Sequence, residues 1–86
     1  MGGGNGVNIQ EVVYDATSND YGVARIRSNA AKIIVLDCYS NLSNVACILF
    51  VYGGSTYCIL LKMNTSGYDV VRNTKFTATM KYIQIT

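Results

Sequence analysis

Val45-Ala46-Cys47-Ile48-Leu49-Phe50-Val51-Tyr52-Gly53-Gly54-Ser55-Thr56-Tyr57-Cys58-Ile59-Leu60-Leu61 carries the clearest structural signal in the chain. Two runs rich in β-branched and aromatic residues flank Gly53-Gly54-Ser55, whose glycines accept the positive φ that a tight hairpin turn requires. The stretch predicts an antiparallel hairpin of Val45–Tyr52 with Thr56–Met63. Its strands are unusual in one respect. Val45–Tyr52 has no polar residue on either face, and Ile33–Leu36 and Cys58–Leu61 are similarly apolar on both. An antiparallel sheet normally leaves one face to water, so these strands need cover on their second face. An exposed apolar patch of that size marks an interaction surface, and the economical source of cover is another copy of the same chain. A small closed barrel with curled strand ends is the alternative.

Outward from the hairpin, turn-forming clusters of Asn, Ser, Thr, Asp and Gly cut the chain at Asp15 to Gly22, Ser28 to Ala30, Ser40 to Asn44, Asn64 to Gly67 and Arg72 to Thr74. Between them lie the remaining candidate strands, Asn8–Tyr14, Val23–Arg27, Lys32–Tyr39, Tyr68–Val71 and Lys75–Ile85. Lys32–Tyr39 is expected to pair with Val45–Tyr52 across Ser40–Asn44. Lys75–Ile85 alternates, with Phe76, Ala78, Met80 and Tyr82 on one face and Thr77, Thr79 and Lys81 on the other, as a half-buried strand does. Ser28–Leu36 is the best helix candidate, but the β-branched run Ile33-Ile34-Val35 resists helix. The expected fold is therefore all-β, a small antiparallel β-sandwich of about seven strands, oligomeric through its apolar strands. With 86 residues there is room for one core, placed at 8–86 behind a Gly-rich leader at 1–7.

Composition removes several function classes. Histidine is absent, which takes away the commonest general base and metal ligand, and with them Ser-His-Asp and Cys-His nucleophiles. Glu11, Asp15, Asp20, Asp37 and Asp69 are scattered, and Asp15, Asp20 and Asp69 read as turn formers. No catalytic residue is assigned. Half of the residues are hydrophobic, yet no apolar run reaches the ~18 needed to span a bilayer, so no membrane insertion is expected. A net charge of +2 makes nucleic-acid binding an unfavoured reading. Cys38, Cys47 and Cys58 are odd in number and lack C-x-x-C spacing, which predicts buried free thiols made in a reducing compartment, with one disulfide plus a spare thiol as the competitor. No metal or cofactor is assigned. Met1 to Gly6 has no export signature. Asn41-Leu42-Ser43 and Asn64-Thr65-Ser66 match glycosylation sequons but read as turns.

Tyrosine beside Asn and Asp in loops suits recognition of polar surfaces, because the ring contributes area at low entropic cost and the amides direct hydrogen bonds. The candidate ligand-binding residues are Asn19, Asp20, Tyr21, Tyr39, Asn41, Asn44 and Tyr68.

Lys32-Ile33-Ile34-Val35-Leu36-Asp37, Ala46-Cys47-Ile48-Leu49-Phe50-Val51, Tyr57-Cys58-Ile59-Leu60-Leu61 and the closing Asn73 to Ile83 stretch follow one another in an order that resembles the C-terminal tip domain of bacteriophage tail-fibre or receptor-binding proteins. The resemblance covers about three-quarters of the chain, from Gly22 onward. Such tips carry a proline in the fourth-strand region and a tryptophan before the return strand, where this chain has Leu49 and Thr56 or Tyr57. The resemblance implies a homotrimeric, non-enzymatic tip that adheres to a bacterial surface saccharide or protein, assembled in the host cytoplasm and carried on the virion. Competing expectations are a small β-barrel binding single-stranded nucleic acid through Arg25, Arg27, Arg72 and Lys75, and a designed or ligand-free structural domain.

Overall fold

A computed structural model describes residues 7–27 and 32–86. Most of the leader (1–6) and the segment 28–31, which includes the start of the helix candidate Ser28–Leu36, lie outside the described residues. Seven strands follow one another: β1 (Ile9–Thr17), β2 (Ala24–Arg27), β3 (Lys32–Ser40), β4 (Val45–Tyr52), β5 (Ser55–Asn64), β6 (Gly67–Val70) and β7 (Thr77–Ile85). They form a β-sandwich. One sheet has the order β1-β7-β3; the other has β2-β5-β4, with β6 beside β2 along the same edge of β5. Every pairing is antiparallel.

The predicted hairpin is present. Tyr52 faces Ser55, and Gly53 and Gly54 sit at φ 58° and 78°, so the two-residue turn needs both left-handed positions that glycine supplies. The alternation read in the last strand also holds, since Phe76, Ala78, Met80 and Tyr82 are all buried. The strand itself begins at Thr77, because the Phe76 amide turns aside to donate to the buried Ser18 hydroxyl (2.8 Å).

Three expectations are corrected. β3 does not pair with β4. Its end is tied to β7 instead: the Ser40 hydroxyl donates to the Thr77 carbonyl (2.9 Å), and the Asn41 side-chain carbonyl accepts from the Thr77 amide (2.8 Å). The chain then crosses to the other sheet through Asn44, at φ 61°. Splitting β3 and β4 between the sheets lets Ile33 and Cys38 of one face Cys47 and Leu49 of the other across the core. The second correction is that β1 runs on to Thr17, so Asp15 is a strand residue whose carboxylate accepts from the Thr79 hydroxyl (2.8 Å). The third concerns Asp69, which lies in β6 and accepts from the Asn64 amide across the hairpin (3.0 Å).

A bulge at Leu36 shifts β3 against β7 between Val35 and Asp37. The extra residue resets the alternation, so Ile33 and Val35 before it and Cys38 after it face the same side. The core, however, is unevenly closed. Its buried apolar residues are Ala16, Ala24, Ile26, Cys58, Leu60, Phe76, Ala78, Met80 and Tyr82, from β1, β2, β5, β7 and the residue before β7. β3 and β4 contribute only partly buried side chains to it.

Candidate functional site

The outer faces of the two sheets differ. On the three-stranded sheet the outward positions mix Glu11, Asp15, Thr77, Thr79 and Lys81 with the exposed Ile9, Val13 and Ile34, and a Glu11–Lys81 ion pair at 3.3 Å joins two largely exposed side chains. Charged and hydroxyl groups interrupt the apolar ones on this face. On the four-stranded sheet the register sets Ala46 opposite Leu61, Ile48 opposite Ile59 and Phe50 opposite Tyr57. Cross-strand neighbours on one face pack together, and the Phe50 and Tyr57 rings stack with centroids 5.6 Å apart. Met63 and Tyr68, facing each other across β5 and β6, continue the same stripe and are exposed. Ile48 and Phe50 are each 38% exposed. The second apolar face of β4 and β5 is thus left open by the chain itself, as the sequence of both strands requires.

Around the free edge of β4 this surface continues into an apolar cleft of about 270 Å³ between the sheets, lined by Ile33, Val35, Leu49, Phe50, Val51 and Thr56. The Thr56 hydroxyl oxygen is buried there without a hydrogen-bond partner among the described residues.

All seven sequence-predicted contact residues lie toward one end of the sandwich. The β1–β2, β3–β4 and β5–β6 connections meet there, since the end of β1 and the end of β3 flank the start of β7 and the start of β4 flanks the end of β5. Within that end the residues have different duties. Asn19 and Asn41 spend their side-chain carbonyls on the turns themselves: Asn19 accepts from the Tyr21 and Val23 amides, both at 3.0 Å, and Asn41 accepts from Thr77. Asn44 supplies a left-handed turn position. Asp20 is exposed in the β1–β2 turn. Tyr21, Tyr39 and Tyr68 project into solvent at 60% exposure or more. Tyr39 belongs to the outer face of the three-stranded sheet and Tyr68 to that of the four-stranded sheet, so they do not share one surface. Asn8, bonded to Thr86, stands at the opposite end of the sandwich.

A group of side chains that spacing along the sequence does not reveal lies inside. Cys38 from β3, Cys47 from β4 and Cys58 from β5 bring their sulfurs within 4.8 Å of one another. All three are free thiols; Cys58 is fully buried and the other two are partly buried. Burial, then the neighbouring sulfurs, pushes the Cys38 thiol far above its ordinary range. Burial chiefly, reinforced by Cys47, raises Cys58 from 9.0 to about 11. At neutral pH these two are protonated, because the apolar surroundings penalise a thiolate.

Among the described residues no helix is long and apolar enough to cross a membrane. Set against models of known protein families, curated proteins and solved structures, the chain matches none of them.

Proposed function

We propose that the chain is a non-enzymatic adhesion domain that works as a homotrimer, in the manner of a tail-fibre tip, and recognises a bacterial surface saccharide or protein. The observation that carries the reading is the open apolar face of β4 and β5, with Ile48, Phe50, Tyr57, Ile59 and Leu61 side by side, whereas charged and hydroxyl groups interrupt the apolar ones on the other sheet's outer face. A surface that apolar is stable in water when another surface covers it. Identical copies supply one of matching chemistry without a second gene product. The grouping of Tyr21, Tyr39 and Tyr68 toward the end opposite Asn8 supports the adhesive half: a shaft joined ahead of Asn8 would hold those tyrosines outward. Three copies presenting the same loops would gain avidity from weak individual contacts.

Two measurements test this. Sedimentation equilibrium should return three times the 9.4 kDa chain mass at micromolar concentration; a monomer there overturns the assembly. Retention on immobilised bacterial surface polysaccharide should survive a salt series, whereas retention on a single-stranded oligonucleotide that collapses steeply with salt would favour the nucleic-acid reading.

A further inference from the structure

We propose that Cys38, Cys47 and Cys58 form a three-sulfur binding site for a soft trivalent ion, of which trivalent arsenic is the type. The three thiols come from three strands and both sheets, yet their sulfurs converge within 4.8 Å. Three sulfurs each about 2.3 Å from a pyramidal centre stand about 3.5 Å apart, so an adjustment of under about 1 Å by each side chain closes the ring around one ion.

Donor number and charge select the occupant. Among the described residues the cluster offers three sulfurs and no fourth histidine or carboxylate ligand, and the chain contains no histidine at all. Zinc in closed protein sites takes four ligands. Thiolates favour soft ions in general, but three thiolates around Zn²⁺ or Cu(I) leave net negative charge beside Leu60, Met80 and Leu49, where burial makes it costly. A trivalent ion on three thiolates is neutral. The chemistry also suits thiols that keep their protons. With arsenous acid, As(OH)₃, three As–O bonds break and three As–S bonds form. Each thiol proton leaves with a hydroxide as water, and arsenic stays trivalent, so no oxidant or reductant takes part. Cys38 and Cys47 are only partly buried, which gives the reagent a way in from the β3–β4 side.

The test is titration of the reduced full chain with arsenite, read by native mass spectrometry and by near-ultraviolet sulfur-to-arsenic absorption. The expected product is one adduct per chain, heavier by one arsenic less three hydrogens, with all three thiols lost to a thiol reagent. Cys38→Ser and Cys47→Ser, checked for native circular dichroism, should each bind at least tenfold more weakly, and Zn²⁺ should bind the natural chain at least tenfold more weakly than arsenite. An adduct retaining a hydroxyl on two sulfurs, equal affinity in Cys38→Ser, or no adduct on the folded chain would overturn the assignment. Should either variant fail to fold, the mass of the natural chain's adduct still separates three sulfurs from two.

Discussion

Replacing Ile48 with Asn and Phe50 with Ser together probes the apolar face at its centre. Each side chain is 38% exposed. For side chains of roughly 150–200 Å², that leaves about 130 Å² between them, and covering it at about 25 cal/mol per Å² is worth about 3 kcal/mol per subunit. A change of that size is roughly a hundredfold in an association constant. Polar replacements add a desolvation cost in the assembled state, so the shift is a lower bound. Within one chain both side chains are also more than half covered, packing on Ile59 and Tyr57 across the strand pair, so the double variant loses intrachain stability as well, and only its folded fraction enters the comparison. Sedimentation velocity over a dilution series should therefore show the natural chain assembled at micromolar concentration and the double variant dissociating at concentrations about two orders of magnitude higher, with far-ultraviolet circular dichroism unchanged. Equal dissociation midpoints would refute the reasoning, as would a natural chain that sediments as a monomer.

Ser18→Ala removes the buried hydroxyl that accepts from the Phe76 amide, leaving that N–H unsatisfied in the core; chemical denaturation should record a loss of about 1–3 kcal/mol. Gly22→Ala should destabilise more than Gly53→Ala in the same assay, because both need positive φ but a Cβ at Gly22 meets the Val71 carbonyl oxygen at 3.0 Å whereas one at Gly53 meets nothing within 4 Å. The raised Cys58 thiol makes the fold alkali-sensitive: the unfolded thiol releases its proton near pH 9.0 and the folded one near pH 11, so the folded state binds more protons in between. Stability is full below pH 9 and falls from there to pH 11, and Cys58→Ala should flatten that decline in thermal melts followed by circular dichroism.

How much of this was legible beforehand depends on how local the signal is. The Gly53-Gly54 turn and the single-face alternation of Phe76, Ala78, Met80 and Tyr82 are written in adjacent residues, and both appear in the fold as read. The partner of β3 was not legible. Its choice of β7 over β4 rests on Ser40 and Asn41 reaching Thr77, 37 and 36 positions away, and no short-range pattern encodes that. The cysteines fall between these cases. A two-residue turn at Gly53-Gly54 fixes Cys47 opposite Leu60 and Leu49 opposite Cys58, so two of the thiols are diagonal neighbours on one face by register alone. The third, Cys38, arrives from the other sheet, and its approach depended on the strand pairing that sequence misassigned. Among the proposed contact residues, Asn19 and Asn41 offer directional amides. Those amides direct turns, which is the commoner use of Asn in such segments.

One imbalance underlies the apolar face, the cleft and the thiol cluster. A chain of this length buries a smaller fraction of its unfolded surface than a larger domain does, and here the fully buried residues come from β5, β7 and the residue before β7, with β1 and β2 closing that side. The β3–β4 side closes less tightly. Two strands that sit next to each other in sequence lie in opposite sheets, unpaired with each other, and the 270 Å³ cleft of Ile33, Val35, Leu49 and Val51 opens between them. Burial of Ile48 and Phe50 by another copy would reach around the β4 edge to this cleft, because Phe50 lines both surfaces. The partial exposure of Cys38 and Cys47 follows from the same geometry: they face the core from the two strands that shield it least. Tight cover of that edge in an assembly would then slow access to the thiols, so the side of the sandwich that invites a second subunit is also the side by which an ion would enter.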